Sequence, residues 1–213
     1  MRELWQRIEQ YFAIHWPNKE LKLRPPATDT QIAAAERELG VRFPDDFRES
    51  LLVHNGQDEG PNLLWLPAVC QLGSLESMVK CWKDDRDSFD TSDTECFDWL
   101  DSSQRTRQVH FHPKHIPFAG SPFWDYDRLL FDFAPGPMGK PGQIIMRNDI
   151  DFVFLCESFR ELMQKTADGL EGGTITMSEN GPEMSHWVTP EYRSARSKQL
   201  MSPFRYFARG ASK

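Results

Sequence analysis

The chain has 213 residues, of which 27% are charged and 12% aromatic, which suits one folded domain or one domain with an appendage. Its formal net charge of −7 argues against a phosphate backbone as ligand and favours a basic protein as partner. Its four cysteines, Cys70, Cys81, Cys96 and Cys156, form no C-x-x-C pair and read as free thiols of a reducing compartment. The first residues lack the apolar core of a signal peptide. No run approaches the ~18 apolar residues needed to span a bilayer. The expectation is a cytoplasmic protein without membrane contact.

Leu4, Trp5, Ile8, Tyr11, Phe12 and His15 recur at three/four spacing and predict an amphipathic helix that Pro17 ends. Thr28 and Gln31 fit a capping box for a second helix, with Ile32, Ala35, Glu36 and Leu39 on its inner face. Gly40 follows, where a left-handed C-cap belongs. Pro44 suits the first turn of a third helix, Asp45 and Asp46 complement its dipole, and Phe47, Leu51 and His54 share one face. Asn55-Gly56 stops it. Glu36 lies on an apolar face. Its carboxylate is either a catalytic base or, as we favour, satisfied by backbone N–H groups of the turn near Phe43.

Beyond residue 60 the pattern changes. Residues 63–66 and 68–72 read as short strands, and Ser74 caps a helix to about Lys83. Residues 84–108 read as a polar loop or insertion. Residues 109–112, 116–119, 129–133, 143–146 and 152–156 read as strands separated by Gly, Pro, Asp and Asn. Residues 158–169 close the unit as a helix, with Phe159, Leu162 and Met163 facing inward. Residues 174–177 are a candidate edge strand. Helices first and then strands predict an α+β fold, a mixed, largely antiparallel sheet packed by helices.

Several groups could carry chemistry. His110 and His112 would project from one side of their strand, with Val109 and Phe111 on the core side and His115 beyond Pro113. Zinc needs three or four convergent ligands, and two outward histidines do not complete a set. Residues 135–142 carry Gly136, Gly139 and Gly142 but also three prolines, which remove N–H donors that a phosphate cradle would need. They read as a hairpin loop. Asp125/Asp127 and Asp149/Asp151 sit at turns, where aspartate is ordinary. No Gly-x-Ser-x-Gly elbow is present. These readings predict no catalytic residue, no metal and no cofactor.

Two stretches point to partners instead. Asp84, Asp85, Asp87, Asp90, Asp93, Glu95, Asp98 and Asp101 are interleaved with Phe89, Phe97 and Trp99 and oppose only Arg86. Such an acidic-aromatic surface suits a basic protein. The same run also fits a solvated loop docked by its aromatics. Trp124, Asp125 and Tyr126 are a second candidate contact. After residue 190, Arg193, Arg196, Lys198, Arg205, Arg209 and Lys213 make the tail basic.

Residues 24–56, RPPATDTQIAAAERELGVRFPDDFRESLLVHNG, resemble the opening of the Smi/Knr-like branch of the SUKH superfamily, with Phe43-Pro44 in place of its Leu-Pro step. HPKHIPFAG, LLFDFAPGPMGKPGQIIM and CESFRELM resemble its later elements, whereas residues 121–128, SPFWDYDR, replace its Gly-Gly-Asp step. The resemblance covers about residues 1–170, with an acidic insertion at about 84–108, and leaves 171–213 as an extension. It implies a SUKH-like α+β fold in which Glu36, Gly40, Pro44, Asn55, Gly56, Pro117, Asp132 and Gly142 are structural motif residues. It also implies a non-enzymatic binding module. The expectation is an immunity protein that occludes the active site of a cognate, basic, cytoplasm-acting toxin. The alternatives are a regulatory scaffold of the cell-wall-assembly type and a metal-dependent enzyme using His110 and His112.

Overall fold

The computed structural model describes residues 1–15, 17, 21–58, 71–88, 99–100, 103–109, 111–120, 128–148, 151–173, 176–179 and 185–188. Helix α1 (Arg2–His15) buries Leu4, Trp5, Ile8 and Phe12 of the stripe its spacing predicts, while Tyr11 is half-buried and His15 exposed. Helix α2 (Asp29–Leu39) starts at the Thr28 capping box. The Thr28 hydroxyl accepts the Gln31 N–H at 3.2 Å, and Gln31 Oε1 accepts the Thr28 N–H at 2.8 Å. Gly40 ends the helix at φ 63°, a left-handed conformation that costs glycine nothing.

Helix α3 (Asp45–Leu51) is shorter than its sequence suggests. Pro44 stands just before it as N-cap, and Leu52 caps its other end. His54 therefore lies outside the helix, edge-on to Trp5 with ring centroids 4.9 Å apart.

Strand β1 (Gln71–Leu72) leads into α4 (Leu75–Ser88), which continues five residues past the expected end. Residues 84–88 are thus helix rather than loop. Strands β2 (Trp99–Leu100) and β3 (Arg107–Gln108) pair with each other inside the predicted insertion. Then follow β4 (His115–Gly120), β5 (Arg128–Asp132), β6 (Gln143–Asn148), β7 (Asp151–Cys156) and α5 (Phe159–Glu171). Strands β8 (Thr176–Glu179) and β9 (Ser185–Val188) form their own hairpin. Of the edge strand expected at 174–177, residues 174–175 lie outside the described residues, and Thr176 and Met177 pair with β9 and not with the main sheet.

The main sheet has the order β1-β4-β5-β6-β7, and each of its pairs is antiparallel. Helices α3 and α5 lay Phe47 and Phe159 against Phe118 of β4 and Phe131 of β5, with ring centroids 4.7 Å apart for Phe47–Phe131 and 4.5 Å for Phe118–Phe131. Pro117 sits where β4 shifts register against β5, the kind of irregularity that tolerates a strand proline.

The other sheet face carries a smaller cluster of Val109, Leu130, Ile145 and Phe152. Val109 joins this outer cluster while Phe111 joins the main core, so the two do not share the core side that strand alternation over 109–112 predicts. At the free edge of the sheet, Gln108 exchanges two side-chain hydrogen bonds with the Phe152 backbone, at 2.8 and 2.7 Å. That pairing imitates a neighbouring strand and blunts β7 as a template for association.

Candidate functional site

His115 begins β4 and is buried beside Asp132 at the end of β5, with Nε2 3.3 Å from Oδ1. The Asp132 carboxylate accepts the Ala134 N–H at 2.9 Å and the Gln143 side-chain amide at 3.0 Å. Its backbone carbonyl accepts the Gly142 N–H at 2.7 Å. Asp132 therefore fastens both ends of the proline-rich connection between β5 and β6, where Gly142 supplies a φ of +87°. His112 is partly buried, and its Nδ1 accepts the Lys114 N–H at 3.0 Å. His110 lies outside the described residues. Among the described residues no group of three His, Cys, Asp or Glu side chains is placed to hold a metal ion.

Other titratable groups are absorbed by the fold. Glu36 Oε1 accepts the Phe43 N–H at 2.8 Å, at the turn where the sequence suggested its partner, and Oε2 accepts from Arg48 at 2.6 Å. Burial pushes the Cys81 thiol up to about 12 and raises that of Cys156 further. A thiol so protonated at neutral pH is a poor nucleophile.

A cleft of about 520 Å³ opens between α2 and α4. Ala34 and Ala35 form one side of its floor, and Leu75 and Val79 the other. The alanines make the cleft, because methyl groups leave unfilled the space that larger side chains would occupy. Glu38 and Lys83 join the two helices by an ion pair of 2.7 Å, which holds the Glu38 carboxyl below its usual range.

Along the α4 wall stand Glu76, Lys80 and Asp84, spaced four residues apart on one face. Burial tends to raise the Glu76 carboxyl. Backbone and Ser74 hydrogen bonds and the Arg24 guanidinium 3.7 Å away outweigh that and lower it. Lys80 and Asp84 are exposed and make no ion pair with each other or with Glu76.

The cleft is positioned by Asn55 and Ser74, which cap the start of α4. The Asn55 side-chain oxygen accepts the Leu75 N–H at 3.0 Å, capping the first turn of α4. Ser74 adds a second cap, its hydroxyl accepting the Ser77 N–H at 3.1 Å. The helix the sequence expected Asn55 and Gly56 to stop has already ended at Leu51, and Asn55 instead aims the next one.

Of the acidic residues predicted to meet a partner, Asp84 and Asp87 are exposed at the C-terminal end of α4. Asp87 pairs with Arg86 at 2.8 Å, and Arg86 lies over the Trp82 ring. Asp85 faces inward, paired with Arg128 and 4.0 Å from Arg147, so its carboxylate belongs to the fold. Asp90, Asp93, Glu95, Asp98, Asp101, Trp124, Asp125 and Tyr126 lie outside the described residues, and Trp99 is described only as backbone of β2. The sequence reading missed Ala34, Val79 and Lys80. The signals were present in the Ala33-Ala34-Ala35 run and the four-residue charge spacing of α4. Neither says that the two helices are neighbours.

No described helix is long and apolar enough to cross a membrane. The chain is 25% identical over 208 residues, 87% of its length, to a cell wall biosynthesis/cell cycle regulator, smi1, of Schizosaccharomyces pombe. It is 24% identical to a glucan synthesis regulatory protein of Neurospora crassa, over 84% of its length, and 24% identical to the cell wall assembly regulator SMI1 of Saccharomyces cerevisiae, over 79%. It spans about 40% of the length of each of these relatives. Residues 26–165 match the SMI1 / KNR4 family (SUKH-1), and the chain, with its helices-first α+β architecture, belongs to that family.

Proposed function

We propose that this chain is a non-enzymatic, cytoplasmic protein-binding module with a regulatory role of the kind its fungal relatives' names describe. The observation that carries this reading is the open α2–α4 cleft, an apolar floor between charged walls. Such a surface suits contact with another protein more than it suits turnover. The conspicuous histidine, glutamate and cysteine side chains support the same reading, because His115, Glu36, Cys81 and Cys156 are built into the core or its turns.

The sequence alone favoured toxin immunity. The relatives' names favour regulation, and both readings rest on binding. The acidic run that starts at Asp84 would add electrostatic steering toward a basic partner in either case.

The tagged chain, cross-linked in its native host and analysed by quantitative mass spectrometry, tests the proposal. Recurrent partners of modest affinity, enriched for proteins of cell-wall or signalling function, are the expected result. A single tight partner carrying a basic toxin domain would replace regulation by immunity. Substrate turnover by the purified chain would overturn both.

A further inference from the structure

We infer that the α2–α4 cleft is a docking groove for one amphipathic helix of a partner protein. The helix would present an apolar i, i+3/i+4, i+7 stripe flanked by an acid that meets Lys80 and a base that meets Asp84. This inference rests on the protein-binding reading and gives it a location.

The groove's length is the first argument. Gln31 to Glu38 on α2 and Leu75 to Asp84 on α4 line it. At 1.5 Å per residue these walls run about 10 to 13 Å. That matches roughly two turns of an occupant helix, enough for three or four anchoring side chains. The floor of Ala34, Ala35, Leu75 and Val79 offers methyl and branched apolar surface without a polar atom to satisfy. An inserted helix, whose backbone hydrogen bonds are internal, is the secondary structure that such a floor accommodates best.

Charge selects the occupant. Glu76 already has Arg24, and Glu38 already has Lys83. Lys80 and Asp84 remain, one turn apart on the same wall, exposed and without an ion pair between them. A positive and a negative site one turn apart favour a helix with the opposite charges at the same spacing. They also disfavour the reversed charge order, which fixes the direction in which the helix lies.

The test uses the full chain and a library of stapled helical peptides of about 15 residues. Their stripe positions vary among Ala, Val, Leu, Ile, Met and Phe, and their flanks among Glu, Lys and Ser. Selected peptides should carry an acid and a base one turn apart. Their binding, read by fluorescence anisotropy, should weaken about tenfold or more in Ala34→Trp, which fills the groove. In Lys80→Glu the preferred flank should switch from acid to base. Lys80 is exposed and Ala34 is half-buried, and thermal melting of each variant confirms folding.

No selected peptide, or binders indifferent to both substitutions, would overturn the inference. A chain that self-associates in solution and becomes monomeric on Ala34→Trp would also overturn it, assigning the groove to a second copy. In each of these outcomes, partners recovered by cross-linking would leave the protein-binding reading standing. If the cross-linking fails while the library succeeds, the groove stands and the regulatory role falls.

Discussion

Gly56 and Gly73 approach so closely that a β-carbon on Gly56 would lie 2.4 Å from the Gly73 carbonyl carbon and oxygen. Gly56 also has a φ of +75°, which other residues adopt only with strain. Gly56→Ala should therefore cost about 3 kcal/mol or more from combined strain and overpacking. Urea denaturation checks this. An unchanged midpoint would mean that the two segments part easily.

Asn55, the preceding residue, tests how α4 is aimed. Asn55→Ala removes the acceptor for the Leu75 N–H and should cost about 1–2 kcal/mol. Amide exchange should accelerate in the first turn of α4 and much less at its far end. Uniform acceleration through the chain would instead indicate a general loss of stability.

Glu36 joins the start of α3 to the end of α2 through Phe43 and Arg48. Glu36→Ala should cost about 2–3 kcal/mol, because it orphans a backbone N–H and leaves the Arg48 guanidinium only the longer contact with Asp29 at 3.7 Å. Glu36→Gln keeps an acceptor for Phe43 and should cost about half as much. Equal losses for the two variants would show that charge alone matters there.

The pH dependence has a definite sign. Arg105 lowers the Glu157 carboxyl by a hydrogen bond, Arg7 does the same for Glu171, and Lys83 for Glu38. A carboxyl with a depressed folded pKa stabilises the fold above its unfolded pKa of 4.5. That stabilisation is lost as pH falls through the lower, folded value. Melting temperature should hold near neutral pH and fall below about pH 4.5. Glu157→Gln should flatten part of that fall, at a neutral-pH cost of about 0.5–1 kcal/mol given its exposure. An unaltered acid limb in Glu157→Gln would remove the Arg105 pair from the account.

Local chemistry made the first half legible. The Thr28 capping box, the Gly40 left-handed cap and the α1 stripe depend on neighbours within a few residues, so sequence spacing specifies them. The sheet was harder to read because β1, β2 and β3 are only two residues long and Val109 and Phe111 bury in different clusters. Period-two alternation there predicts a strand that the packing does not make.

The candidate site was least legible. Asp85 reads as part of an acidic surface, yet Arg128, 43 residues away, turns it inward. Ala34 and Val79 each look like ordinary helix positions, and only the packing of α2 beside α4 makes them a floor.

The most direct test of the central claim is amide hydrogen exchange of the full chain, free and bound to the partner recovered by cross-linking. Binding through the groove predicts added protection concentrated in Asp29–Leu39 and Leu75–Ser88. Protection confined to other segments, with those two helices unchanged, would contradict it.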